Sequence, residues 1–575
     1  MTLNHAIYLM RTTVRALAIA AVVTVLACPV AARPSEHTFV TMNSRTLDGP
    51  STENQEPRTA YLIHMSENWE LVGDLPEHSL VLSLQGLANR EGPNVYLEYG
   101  PSWTWRITGP LREFYERKHG FTFTTLSSPD EALATLGSSA KGYVVWDKEV
   151  RTSLIVAFTV SGLEDLVVVN EDLIPLVEKH GLEMVVDLRG EFTGMPDHEI
   201  YQIAYDRYWD RCSRDVVIWM GGAAGKVMEP GMADWGIYRR AFFTDLSNNP
   251  RHPEELALAN RIYSEQNPQS FVMGWHSYAK DTEGQMTSLV SQYGLRMEGL
   301  NTLPNLSFNT HIPFSEGFEF RNNHSVAPDE VLVPEDKVYI ALSQTDGMGI
   351  GAWTMPGRGK LPYAWAIQLS WVDFSPAALE YFYESATPND YIIGYAYPSY
   401  MYPKPVPLSA YPVLQEETRR YMKTLDLRVM DIMDYSEGNR HVGNNDLPEE
   451  LVARIFEGYP DVIGFTNGYG TARTFDLRDG RPIISYDYYL GTGRTKPEAV
   501  ADIEELMTLN RKRPYFLLIH VRQTSTIEQV ADIMSGLGDK VEIVPLDVFL
   551  KLAASEKTYI TRYLQEDDPV VRNPQ

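Results

Sequence analysis

The stretch Ser153–Gly190, SLIVAFTVSGLEDLVVVNEDLIPLVEKHGLEMVVDLRG, decides the fold class. It opens on a helical pattern, runs through DLVVV as a strand, returns to a helix and ends on the strand EMVVD. Strands separated by helices imply parallel βαβ units. The alternation continues on both sides. Upstream, HSLVLSLQGLANR (His78–Arg90) turns helical and is followed by the strands PNVYLEY and KGYVVWD (Lys141–Asp147). Downstream, QSFVMGW (Gln269–Trp275), EGQMTSLVSQYG and LRMEGL repeat strand, helix and strand on a smaller scale.

Residues 312–334 lack periodicity and read as a linker. Beyond them KVYIALSQTDG starts a new series of about eight strand-like segments, among them DYIIGYAY, LRVMDIMD, DVIGFTN, RPIISYDYY and RPYFLLIHVR, several separated by helices. A (β/α) barrel, complete or short of one unit, is the economical reading. The expected class is α/β, with N-terminal α/β subdomains at 60–140, 141–258 and 259–311. A C-terminal (β/α) barrel-like domain follows at 335–555, and a tail at 556–575.

The N-terminus has its own signature. Arg11 and Arg15 precede the apolar run LAIAAVVTVLAC (Leu17–Cys28) and the small-residue exit PVAA. That is the layout of a secretory signal peptide over residues 1–32, cut after Ala32, with a polar leader at 33–59. Twelve apolar residues are short for a membrane span, and lipid attachment at Cys28 is disfavoured by the fit of Leu26 and Pro29 to a lipoprotein box. A secreted or periplasmic location is the expectation. The whole chain carries a net charge of -26. Such acidity repels phosphate backbones and argues against nucleic acid as a partner. Cleavage would leave Cys212 alone, so the fold must rest on core burial rather than disulfides. Oligomeric state leaves no trace in the sequence.

In barrels of this kind the working residues sit where strands end. That rule selects Asp346 after VYIALSQT, Asp373 after AIQLSWV, Asp431, Asp434 and Glu437 in VMDIMDYSEGNR, Asn467, Asp487, and His520 with Arg522 in YFLLIHVR. Several acids at one mouth suit glycoside cleavage, because one carboxyl protonates the leaving oxygen while another stabilises or attacks the anomeric carbon. An acid after a strand is also a common helix cap, and a histidine in an apolar strand can be a satisfied core residue. The segment NDYIIGYAYPSYMYPKPVP (Asn389–Pro407) sets Tyr391, Tyr395, Tyr397, Tyr400 and Tyr402 among prolines and small residues. Tyr397, Tyr400, Tyr402 and Trp353 are expected to form a flat platform for a sugar ring, with Arg358 as a clamp on substrate. No phosphate-binding P-loop, helix-borne zinc pair or Gly-x-Ser-x-Gly elbow is present, and no cofactor is expected.

YPSYMYP (Tyr397–Pro403) resembles the signature of the GxGYxYP glycoside hydrolase family. SLQGLANREGPNVYL, EGQMTSLVSQYG, NLSFN, SQTDG, WTMPGRGKLPYAWAI and SPAALEYFYESATPNDYIIG resemble it too, in the same order along residues 60–555. The resemblance implies secretion, N-terminal α/β subdomains, a barrel-like C-terminal domain and a carbohydrate ligand. Two departures stand out. Tyr397 and Ser399 occupy the signature's glycine positions, and Thr345-Asp346-Gly347-Met348-Gly349 replaces a Ser-Asp-Gly-Asp-Asn pattern, which loses an acid and an amide. Asp346 and Asp373 are the leading acid/base or nucleophile candidates, followed by Asp434 and Glu437, with His520 as a positioning or proton-transfer group. Two other readings stay open: a polysaccharide deacetylase-like enzyme, and a non-catalytic glycan-binding protein.

Overall fold

The computed structural model describes residues 58–565 and 571–572, apart from 67, 71, 101–105, 222–231, 300–302, 346–351 and 438–441. The signal-peptide and leader expectations and Asp346 lie outside the described residues. Among those described, no helix is long and apolar enough to cross a membrane.

Three small parallel sheets come first. β1 (Arg58–Met65), β2 (Val95–Tyr99) and β3 (Phe121–Thr125) form one in the order β2-β1-β3. β4 (Gly142–Val145), β5 (Leu166–Val169) and β6 (Met184–Asp187) form the second, β5-β4-β6. β7 (Val216–Met220), β8 (Phe242–Thr244), β9 (Phe271–Trp275) and β10 (Arg296–Glu298) form the third, β10-β9-β7-β8. LVVV and VVIWM are buried at every position, as expected of parallel strands covered on both faces. The break between the second and third units therefore falls before Val216 rather than at 258–259. The sequence separates β8 from β9 by the long helix Pro253–Ser264, which reads as a boundary but packs as a crossover.

The third unit also closes the first. After β10 the chain reaches Asn305, which has a left-handed backbone (φ 60°), and the short helix Leu306–Asn309. The Asn305 amide pairs with both polar groups of Leu97 (Leu97 N to Oδ1 2.8 Å, Nδ2 to Leu97 O 2.9 Å) and so finishes the free edge of β2. Phe308 is fully buried among Tyr96, Phe121, Phe123 and Tyr115, with ring centroids 5.2–6.0 Å apart. Arg90 knots the three units together: it pairs with Asp165 and donates to the carbonyls of Gly162 (2.7 Å) and Ile237 (2.5 Å).

The C-terminal domain is one curled sheet. Its strands are β11 (Val338–Gln344), β12 (Tyr363–Ile367), β13 (Asp390–Tyr395), β14 (Val429–Ile432), β15 (Val442–Gly443), β16 (Gly464–Asn467), β17 (Phe475–Arg478), β18 (Arg481–Ser485), β19 (Tyr488–Leu490), β20 (Tyr515–Val521) and β21 (Glu542–Ile543). β15 stands apart, paired antiparallel with β22 (Val571–Arg572). β11, β12, β13, β14 and β16 pair side by side and parallel, and β20 lies on the other flank of β11. Closure comes from one segment, Arg481–Leu490. Its first half, β18, pairs with β16, and Tyr486 N still donates to Asn467 O (3.0 Å). The next amide, Asp487 N, donates to Leu518 O (3.0 Å), and β19 continues along β20. A single run of chain thus changes neighbours halfway and joins both edges of the sheet into a barrel-like ring. β17 folds back antiparallel on β18, and β21 takes the lower half of the β11 edge whose upper half holds β12.

Phe308→Ala removes the centre of the first unit's aromatic cluster, and burial of this kind is worth about 3–5 kcal/mol. Urea unfolding should show that loss. A change under about 1 kcal/mol, an ordinary surface effect, would mean that the first unit closes without Phe308.

Candidate functional site

The strand ends of the barrel gather a buried polar cluster. Asp431, at the end of β14 and wholly buried, accepts hydrogen bonds from the hydroxyls of Thr466 on β16 and Tyr486 (2.9 Å). The Tyr486 ring lies 5.1 Å from that of His520 on β20, and His520 Nε2 meets the Thr345 hydroxyl at the end of β11 (3.1 Å). These contacts run from strand to neighbouring strand around one side of the ring, from β14 through β16 and β20 to β11. Tyr469 packs over His520 at 4.4 Å with Tyr489 beside it, and Arg522 donates to the Tyr469 hydroxyl (2.5 Å). His520 has no solvent access. Burial, with the Arg522 charge behind it, drives the imidazole pKa down to about 3, so the ring is neutral.

The signature loop stands beside this cluster but faces the third unit. Tyr400 N donates to Met297 O (3.0 Å), and Tyr402 N donates to Ser291 Oγ (3.0 Å). The hydroxyls of Tyr400 and Tyr402 both reach Oε1 of Glu283. Glu283 is the first residue of helix Glu283–Gln292, held there by the capping box between Thr282 and Gln285. Ser399 Oγ donates to Ser370 Oγ (3.1 Å), and Ser370 in turn donates to Glu298 of β10, which is fully buried. Tyr397 and Ser399 take no positive φ, so these non-glycine residues fit without backbone strain. A small internal cavity of about 10 Å³, roughly one water, lies between Tyr395, Tyr397, Tyr400 and Asp431. Among the described residues no three His, Cys, Asp or Glu side chains gather where they could hold a metal ion.

The structure distributes the expected site residues widely. Tyr397, Tyr400 and Tyr402 are buried, so the open platform becomes a packed seam between barrel and third unit. Trp353 and Arg358 lie away from the mouth. Trp353 packs against Trp365 and Phe382, and Arg358 lies over it. Arg358 donates to Asp390 (2.6 Å) at the first residue of β13, which is the foot of the barrel rather than its mouth. Asp373 sits on the short helix Trp371–Phe374 and engages Tyr421 and Arg420, outside the lumen. Asp434 accepts the backbone N–H groups of Lys404 (2.8 Å) and Ser436 (2.8 Å), so it braces two loops. Glu437 is exposed, and Asp487 holds the Tyr515 hydroxyl (3.1 Å) at the start of β20. His520 does reach the mouth. Glu283 and Glu298 escape the strand-end rule because they belong to another unit. The Thr282-x-x-Gln285 capping pattern was the available sign that Glu283 opens a helix.

The depressed His520 pKa carries a pH signature. The folded state refuses a proton that the unfolded imidazole takes at its ordinary 6.5, so stability falls as pH drops below that value. Between pH 7 and pH 5 the unfolding free energy of wild type should lose about 2 kcal/mol relative to His520→Gln. A difference that does not change with pH would show that His520 titrates as an exposed histidine. At the seam, Glu298→Leu leaves Ser370 without its buried acceptor, and should cost about 1–3 kcal/mol in thermal unfolding. An unchanged transition would show that the seam is not held there.

Comparison with known proteins agrees with this architecture. Residues 336–554 match the family model described as "GxGYxYP putative glycoside hydrolase C-terminal domain". Residues 62–138, 140–212 and 214–311 match the first, second and third N-terminal domains of the same family. Among curated proteins none matches the chain. A crystal structure described as that of "a putative hydrolase from Bacteroides thetaiotaomicron VPI-5482" superposes with a TM-score of 0.70 at 20% identity, covering 87% of this chain and 95% of the other. That likeness establishes a shared fold. With its four domains matched in order along residues 62–554, the chain belongs to the GxGYxYP family.

Proposed function

We propose that this protein is a secreted glycoside hydrolase that cleaves a glycan at the strand-end mouth of its C-terminal barrel. The observation that carries the reading is Asp431: a buried carboxylate at a strand end, gripped by Thr466 and Tyr486 and bordering a cavity, in the domain that matches the hydrolase model. Secretion rests on the N-terminal sequence pattern. Cleavage needs two carboxyls, one to protonate the glycosidic oxygen and one to stabilise or attack the anomeric carbon. Asp431 is proposed as one. Asp346, next in sequence to Thr345, is proposed as the other on the sequence pattern alone. Neutral His520, bonded to Thr345, positions that strand end rather than acting as a base at ordinary pH.

The test is product analysis of glycans incubated with the mature chain. Wild type should shorten at least one glycan, and Asp431→Asn should lose about 10²–10⁴ in kcat while keeping its circular dichroism and glycan affinity. Equal turnover by the variant would remove Asp431 from the chemistry. A glycan bound and left intact by wild type would favour the binding-protein reading, and loss of acetyl mass alone the deacetylase reading.

A further inference from the structure

The carboxyl end of β1 brings a serine, an aspartate and a histidine into direct contact. Ser66 follows the last residue of β1 and is exposed. Its hydroxyl donates to Asp74 Oδ2 (2.5 Å) and lies 3.0 Å from His78 Nε2. Ser66 has one hydrogen and Asp74 takes it, so His78 meets the oxygen with an Nε2–H. The other ring nitrogen, Nδ1, is buried and has no hydrogen bond among the described residues, as suits a nitrogen without a proton. The Trp69 ring holds the imidazole in place, with centroids 3.9 Å apart. Burial lowers the His78 pKa to about 4, against the pull of Asp74, so the ring is neutral. The Asn68 amide approaches Ser66 Oγ only at 3.4 Å, which leaves one lone pair open to an electrophile.

Asp74 precedes the helix Leu75–Ala88 and His78 is its fourth residue, so Ser66 Oγ sits at the helix's first turn. A capping aspartate would turn its carboxyl to the amides of that turn. Asp74 makes no such bond and holds Ser66 instead. The amide end of the helix dipole stays open to negative charge that forms beside Ser66. The sheet order β2-β1-β3 points to the same place. The chain passes from β1 to β2 on one flank and then crosses to β3 on the other. Such a topological switch is where open α/β sheets take their ligands.

We propose that Ser66 is the nucleophile of a site in the first unit that hydrolyses carboxylic esters. Ser66 Oγ bonds to the ester carbon while its proton passes to Asp74, and the carbonyl oxygen takes the negative charge. As that intermediate collapses, the bond to the alcohol oxygen breaks and the alcohol takes the proton from Asp74. Water then bonds to the acyl carbon and gives a proton to Asp74. The bond to Oγ breaks, Ser66 takes that proton back, and the free acid leaves. His78 holds Oγ in line with Asp74 throughout. Esters are the fitting class, because an alcohol leaves more readily than the amine of an amide and a carboxylate is a weaker base than imidazole. None of this depends on the glycan reading.

The test uses the mature full-length chain, a fluorophosphonate probe mapped by peptide mass spectrometry, and turnover of p-nitrophenyl acetate. Wild type should carry the probe on Ser66 and release nitrophenol. Ser66→Ala should lose both, and Ser66→Cys, which keeps a nucleophile at that position, should still be acylated. Asp74→Asn should lose about 10²–10⁴ in turnover with its helical circular dichroism unchanged. A wild type that reacts elsewhere and leaves Ser66 unlabelled would overturn the proposal. So would equal turnover by Ser66→Ala, and undiminished turnover by Asp74→Asn would overturn the proton path through that carboxylate.

Discussion

The barrel's mouth depends on a seam it does not own. Glu298 is a carboxyl group with no solvent access, and a buried polar group must be met by hydrogen-bond partners. The Ser370 hydroxyl meets it, and Ser399 of the signature loop bonds to Ser370. In the same seam Glu283 collects the hydroxyls of Tyr400 and Tyr402, while Met297 O takes the Tyr400 amide. The connection after β13 therefore cannot relax independently of β10 and the helix at Glu283. Its tyrosines work as rigid struts whose polar tips are spent on the neighbouring unit. Tyr402 and Tyr435 then pass that rigidity to Tyr469 and His520 inside the ring.

The other family-like segments follow the same logic. In SLQGLANREG, Gln85 donates to Asn305, Asn89 to Ser307, and Arg90 ties the second and third units to the first. In NLSFN, Ser307 donates to Asp234 (2.6 Å), and Asn309 accepts the Tyr115 hydroxyl (2.9 Å). Burial raises the Asp234 pKa to about 6, and the Ser307 donors pull against that rise. These residues are fixed by one another across unit boundaries, so the pattern that makes the chain recognisable is largely a record of how four units are joined.

That explains what could be read in advance. Strands such as LVVV and YFLLIHV announce themselves by composition, because a parallel strand buried on both faces needs apolar residues at every position. The barrel-like ring was legible from the succession of such runs. The place of Trp353 and Arg358 was not, because an irregular connection can run up or down the barrel's outside and its composition is the same either way. RPIISYDYY reads as one strand, yet it serves two different neighbours, and pairing of that sort is decided by register between distant segments. The strand-end rule picks out Asp431 and His520 because both lie near the ends of barrel strands. It passed over Glu283, whose position in the site comes entirely from packing between units.

The plug formed by Asn305 and Phe308 also sets an order of events. Domains emerging from a ribosome fold from the N-terminus onward. Here the first unit's sheet edge and aromatic core wait for residues that leave the ribosome only after the second and third units have been made. Until then β2 presents an unpaired edge beside uncovered rings, the kind of surface that recruits chaperones or other nascent chains. Export as an unfolded chain would postpone that exposure until the whole N-terminal half is available at once.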